Sequence, residues 1–222
     1  MTSISVKLQS SDGVIFVTDQ DIIKQMVTIH YTHTMLENLG DGDAEDEEII
    51  PIYTIKGDIL DKVIEWTRYH AENTEEDSRN KVWCDQFFTN NLEQTFKLIE
   101  AADYLEVNSL INSGEAFIDK HFKDVTNTEA FRNLSQEKLE AILVRDSLNV
   151  QNEEAVFHSI ESWVTRHPQE KSQSLENLVS LIRVHFLSNK MIEEKLKQFL
   201  LKHNMGDLIS KLNYTEKRPR HG

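Results

Sequence analysis

Val6-Lys-Leu-Gln-Ser-Ser-Asp-Gly-Val-Ile-Phe16 is the stretch from which the first half of this chain can be read. Val6 and Leu8 fall on one face and Lys7 and Gln9 on the other, the period-two pattern of a strand over residues 4–9. Asp12-Gly13 is a turn signal, because glycine adopts positive φ without strain. Val14 to Val17 then reads as the partner strand of a hairpin. Working outward, a short helix begins near Thr18 or Asp19, with Ile22, Ile23 and Met26 on its buried side. Ile49-Ile-Pro-Ile52 reads as another short strand. Asp58 is placed to cap a helix on which Ile59, Leu60, Val63, Ile64 and Thr67 share a face. Residues 71–81 read as an acidic, polar loop. Gln94 to Val107 reads as a helix with Phe96, Leu98, Ile99, Ala102 and Leu105 inward. The first half is therefore α+β, a small sheet packed with helices.

From about Ser109 the pattern is helical throughout. Phe117, Ile118 and Phe122 are placed on one helix. Leu139, Ile142 and Leu143 fall on another, started by Ser135. Asn152 can cap a third that carries Val156, Phe157, Ile160, Trp163 and Val164, and Pro168 stops it. Leu175, Leu178, Val179 and Ile182 form a fourth. Ser188 can start a fifth, with Ile192, Leu196, Phe199 and Leu200. Short connections between helices predict an all-α bundle of antiparallel neighbours. The division expected is 1–108, 109–213 and a disordered basic tail, 214–222.

The chain has 222 residues, enough for one or two small domains, and its 39% hydrophobic content suffices for packed cores. A net charge of −14 opposes binding to phosphate backbones, so nucleic acid is not an expected partner. No apolar run approaches the roughly 18 residues of a membrane span, and the first residues lack the pattern of a signal peptide. No membrane association and a cytosolic or nuclear location are the expectations. The single cysteine, Cys84, agrees with a reducing compartment. It reads as a small half-buried residue; as a nucleophile it would need an activating cation, which its neighbours Trp83, Asp85 and Gln86 do not supply.

The search for chemistry returns little. Phosphate-cradling glycine motifs and the nucleophile-elbow motif are absent, so no cofactor is expected. His30 and His33 flank Tyr31-Thr32 without a second ligand pair at zinc spacing. In Gly40-Asp-Gly-Asp-Ala-Glu-Asp-Glu-Glu48, Asp41, Asp43 and Glu45 alternate, which admits a calcium reading. The stretch lacks the spacing and closing glutamate of a calcium-binding hand, and a mobile acidic loop is the other reading. No catalytic residue and no metal ligand is assigned. Trp66, Trp163, Phe117 and Phe122 sit on apolar faces and read as core. Tyr104 either projects outward, as interface aromatics do, or packs at the helix edge.

Four segments, Lys7-Leu-Gln-Ser-Ser-Asp-Gly13, Thr34-Met-Leu-Glu-Asn-Leu-Gly40, Ile59-Leu-Asp-Lys-Val-Ile-Glu-Trp66 and Ile99-Glu-Ala-Ala-Asp-Tyr-Leu-Glu-Val107, occur in the order found in the Skp family of F-box adaptors. The first half resembles that family, which shares the BTB/POZ fold with elongin C. The family bridges a cullin scaffold to F-box substrate receptors in ubiquitin ligases. The resemblance implies that Asp103 and Tyr104 lie on a cullin-facing surface, where the family pattern reads Asn-Tyr. Aspartate there replaces amide donors with a charge. Tyr31-Thr-His33 looks like a small insertion relative to the family.

Ala116-Phe-Ile-Asp-Lys-His-Phe-Lys-Asp-Val125, Leu134-Ser-Gln-Glu-Lys-Leu139 and Asp146-Ser-Leu-Asn-Val-Gln-Asn-Glu-Glu-Ala-Val-Phe157 resemble the BACK domain that follows BTB in kelch-type adaptors. The terminal helices of the Skp family, which form much of its F-box groove, have no counterpart in the sequence. Together the two resemblances imply a noncatalytic adaptor of a cullin-RING, SCF-like ubiquitin ligase. The implied partners are a cullin N-terminal domain and an F-box protein or other substrate receptor. The alternative they leave is a self-associating BTB-type regulatory protein.

Overall fold

The computed structural model describes residues 5–39, 49–73, 78–169, 172–208, 211 and 220. The acidic stretch 40–48 with its calcium reading lies outside them, as does most of 214–222. The backbone divides into two units, Met1–Ala116 and Phe117–Gly222. The first mixes strands with helices and the second is helical, the fold class that the sequence pattern predicts.

In the first unit, β1 (Ser5–Gln9) pairs antiparallel with β2 (Ile15–Asp19), Leu8 opposite Phe16. β3 (Ile49–Pro51) joins the other edge of β1 in parallel, giving the order β2-β1-β3. Val6, Leu8 and Ile50 are buried, as the alternation requires. Gly13 has φ +84°, a conformation that a side chain would strain. Val14, expected in the strand, belongs to the turn: its N–H bonds the Ser10 hydroxyl (3.0 Å) and its carbonyl accepts from the Ser10 N–H (2.9 Å).

α1 (Gln20–Ile23) and α2 (Val27–Leu39) follow the hairpin. α3 (Gly57–Glu72) buries Ile59, Leu60, Val63, Ile64 and Thr67 on one face. Its start departs from expectation. Lys56 is extended and the helix begins at Gly57, so Asp58 lies inside the first turn and accepts from Gln94 Nε2 at 3.3 Å. The acceptor at the helix entrance is Asp12, from the hairpin turn. Its Oδ1 takes the Gly57 N–H (2.8 Å) and the Ser10 hydroxyl (2.6 Å). One carboxylate thus ties the sheet to the long helix.

Residues 78–90 form α4 (Ser78–Asn90), where the sequence pattern predicts a loop continuing to 81 and assigns no element before Gln94. The charged residues around 71–81 obscure an apolar set at helical spacing, Trp83, Phe87 and Phe88. Trp83 stacks on Tyr69 with ring centroids 3.7 Å apart, and Phe87 meets Trp66 edge-on at 5.1 Å. This aromatic burial, available only once α3 is in place, holds the helix. α5 (Thr95–Leu105) and α6 (Asn108–Lys120) complete the unit, α6 carrying the chain into the second. Trp66 is fully buried and its indole N–H donates to the Ser109 hydroxyl at 3.1 Å. At Gly114 an added Cβ would lie 2.7 Å from Ile99 Cγ1 and 3.2 Å from Phe88 Cζ.

The second unit contains α7 (Phe122–Val125), α8 (Glu129–Arg132), α9 (Gln136–Leu143), α10 (Glu154–Arg166), α11 (Ser172–Ser180), α12 (Asn189–Met191) and α13 (Lys197–Lys202), the last two joined by a π-helical turn. Phe117, Ile118 and Phe122 divide between α6 and α7, because His121 leaves helical geometry (φ −112°, ψ 29°) with its ring stacked on Phe117. The Ser135 and Ser188 hydroxyls accept from the N–H groups of Lys138 (3.4 Å) and Met191 (3.1 Å), the capping roles expected of them. Asn152 Oδ1 accepts from the Ala155 N–H at 3.3 Å. Trp163 is buried and donates to the Leu134 carbonyl at 2.7 Å. Phe122 meets Phe131, and Phe157 meets Phe199, edge to face.

Two stability measurements follow from this packing. Gly114→Ala forces Ile99 or the α6 backbone to shift, and urea unfolding is expected to show a loss of about 1–3 kcal/mol, the cost of overpacking a core. Hydrogen bonds from Ser10 and Gly57 to its charged form hold the Asp12 carboxyl below its ordinary value of 3.8. That contribution is complete above pH 3.8 and is lost as the pH falls through the depressed folded value. Asp12→Asn should therefore lower the urea midpoint at neutral pH, and the gap to wild type should close in acid. A gap independent of pH would remove the charge from the account.

Candidate docking surface around Tyr104

α5 presents two faces. Phe96, Leu98, Ala101, Ala102 and Leu105 are buried, while Asp103 and Tyr104 are exposed, Tyr104 by 45%. The 3.6-residue period accounts for this, since 98, 101, 102 and 105 fill the inward stripe and leave 103 and 104 outside it. The helix ends at Glu106 in the left-handed region (φ 56°), with the Val107 N–H returning to the Ala102 carbonyl at 2.8 Å. The Thr28 hydroxyl on α2 lies 3.0 Å from the Tyr104 carbonyl, with Glu106 Oε1 as a second acceptor at 3.3 Å. α2 therefore fixes the end of α5 that carries Asp103 and Tyr104.

Tyr104 also edges a cleft of about 490 Å³, whose lining includes Ile55, Lys56, Ile59, Lys97 and Glu100. Lys97, Glu100 and Tyr104 lie at i, i+3 and i+7 on one exposed stripe of α5. The cleft thus offers an apolar floor, charges of both signs and an aromatic ring. A protein side chain can use that combination.

A second exposed feature, on α2, is not evident from the sequence pattern. Val27, Tyr31 and Met35 are exposed by 42%, 69% and 57%, and their i, i+4, i+8 spacing sets them on one stripe of α2. Thr28, which meets Tyr104, borders that stripe. The spacing is visible in the sequence, yet Ile22, Ile23, Met26 and Ile29 crowd the same region and hide which positions face inward. A third apolar patch lies on the outer face of the sheet. Ile15, Val17 and Ile49 are exposed there by 48%, 58% and 41%, on the face that also carries Lys7 and Gln9.

Cys84 lies half-buried, its sulfur 3.8 Å from His70 Nε2. Burial, and then the charge of Asp85, push its thiol above the ordinary range. Burial also lowers the basicity of His70. The pair therefore favours neutral thiol and neutral imidazole, the reverse of what a cysteine nucleophile needs. His33 is buried within α2 and His30 is half-buried. Among the described residues no group of three or more His, Cys, Asp or Glu side chains is placed to hold a metal ion, and no helix is long and apolar enough to cross a membrane.

Residues 4–72 match the family described as "Skp1 family, tetramerisation domain", and residues 95–197 match "BTB And C-terminal Kelch", the BACK domain. The second match takes in α5, with Asp103 and Tyr104, although α5 packs within the first unit. A curated relative is the E3 ubiquitin ligase complex SCF subunit sconC of Arthroderma otae. It is 32% identical over 120 residues, an alignment that covers 49% of this chain and 68% of the relative. Both kinds of module are noncatalytic. From these matches, and from its Skp-type hairpin and helices and the helical unit that follows them in sequence, the chain belongs to the Skp1 family, with a BTB/POZ-type domain joined to a BACK-like bundle.

Proposed function

We propose that this protein is a noncatalytic adaptor subunit of a cullin-RING, SCF-like ubiquitin ligase. The first unit docks a cullin N-terminal domain through the surface containing Asp103 and Tyr104. The BACK-like unit holds an F-box protein, another substrate receptor or the substrate itself, and so directs ubiquitin-dependent degradation. The relative named as an SCF ubiquitin ligase subunit supports the general adaptor role. The observation that carries the docking reading is the exposed Tyr104 ring, on a helix end whose backbone Thr28 holds, and set beside a cleft. Large apolar side chains held in place at a surface lose little conformational entropy on binding, and aromatic ones dominate interface energetics. A cytosolic or nuclear location belongs to the same proposal.

Calorimetry of the folded chain against a panel of cullin N-terminal domains tests it. Binding to at least one is expected, and Tyr104→Ala should weaken that binding by about 1–2 kcal/mol, roughly tenfold. No binding to any of them overturns the proposal, and an unchanged affinity in the variant removes Tyr104 from the interface.

The outer face of the sheet favours a second reading, self-association. Ile15, Val17 and Ile49 form an exposed apolar patch on strands that both lie at sheet edges. On this reading sedimentation shows an oligomer, and Val17→Asp shifts it toward the monomer. A chain that sediments as a monomer at every concentration excludes it.

A further inference from the structure

Arg220 sits in the basic stretch Lys217-Arg-Pro-Arg220 of a chain carrying net charge −14. Its side chain is 1% exposed and pairs with Glu153, itself 3% exposed. Arg220 Nε lies 3.2 Å from Glu153 Oε2, and one terminal nitrogen lies 3.3 Å from Oε1. That nitrogen also reaches the Leu181 carbonyl at 3.4 Å. The other donates to the carbonyls of Leu143 (2.6 Å) and Arg145 (2.8 Å). Five hydrogen bonds thus leave the guanidinium, matching its five donors.

The acceptors come from the bundle. Leu143 is the last residue of α9, and Leu181 follows the last residue of α11. Their carbonyls are helix-end groups that lack partners within their own helices and carry the negative end of the helix dipole. Glu153 precedes α10, and its Oε1 also accepts the Arg183 N–H at 2.9 Å. The Arg183 side chain pairs with Asp146. Helix-end carbonyls and a buried carboxylate therefore converge on Arg220 as acceptors, beside the Arg183 N–H that Glu153 also receives. A planar fork satisfies that arrangement. An ammonium, with its donors on a single nitrogen, does not.

We propose that this pocket is a receptor for an arginine side chain, filled in cis by Arg220 and open to an arginine-bearing basic segment of a partner protein when Arg220 leaves. The cis residue competes at the effective concentration of a tethered ligand, on the order of millimolar. A partner segment must displace it, so Arg220 sets a threshold for binding at the BACK-like unit.

The probe is a fluorescent peptide of residues 216–222 with Arg218→Ala, so that one arginine remains. It is titrated by polarisation into the full chain. Arg220→Ala should bind it at least tenfold more tightly than wild type. Adding Glu153→Gln to that variant should remove the gain, and a peptide with lysine in place of its remaining arginine should bind neither protein. Arg220→Lys keeps a cation beside Glu153. It serves where the alanine variant does not fold, and should also bind the arginine peptide more tightly than wild type does. If Arg220 is only a structural strut, its variants lose thermal stability and capture no peptide. That result overturns the proposal, as does equal binding of the arginine and lysine peptides.

Discussion

At Gly114 the backbone of α6 comes so close to α5 that a single methyl group would press into Ile99 and Phe88. The first unit depends on this approach. It lets Ile99 of α5 and Phe88 of α4 close over α6, and Trp66 of α3 fixes the same helix by its bond to Ser109. With α5 held from that side, its period leaves Asp103 and Tyr104 no place but the surface. The exposure of Tyr104 is thus a consequence of packing on the opposite face of its own helix.

Asp12 performs a comparable linking role at the sheet. The Asp-Gly turn would form a hairpin in many folds, but here the aspartate also receives the first N–H of α3. The turn thereby sets where the long helix begins, and so where the tryptophan and tyrosine that stack with α4 are presented. In the second unit the matching constraint is an excess of acceptors. The ends of α9 and α11 and the Glu153 carboxylate converge, and burial makes each of them costly without a donor. Arg220 answers that need from a distant part of the chain.

Much of this was legible beforehand. Alternation at Val6 and Leu8, the Asp-Gly turn and the apolar faces at 59–67 and 96–105 each depend on residues near one another in sequence, and local stereochemistry sets them. The serine caps at 135 and 188 were readable for the same reason. The α4 helix was not, because its stability comes from stacking Trp83 on Tyr69, across a stretch whose charges suggest a loop. Asp58 is the only cap for α3 that local sequence suggests, since nothing near it signals that Asp12, 45 positions away from Gly57, arrives there. The stripe of Val27, Tyr31 and Met35 was visible as spacing, but not as exposure.

Periodicity and short motifs are enough to give the elements other than α4 their order, the change from α+β to all-helical, and the two family resemblances. Which apolar residues stay at the surface and which polar groups become buried is set by packing in three dimensions. Those outcomes depend on what packs against each side chain. Tyr104 is exposed because its helix is satisfied from behind, and Arg220 is buried because three distant segments bring carbonyls and a carboxylate to its guanidinium.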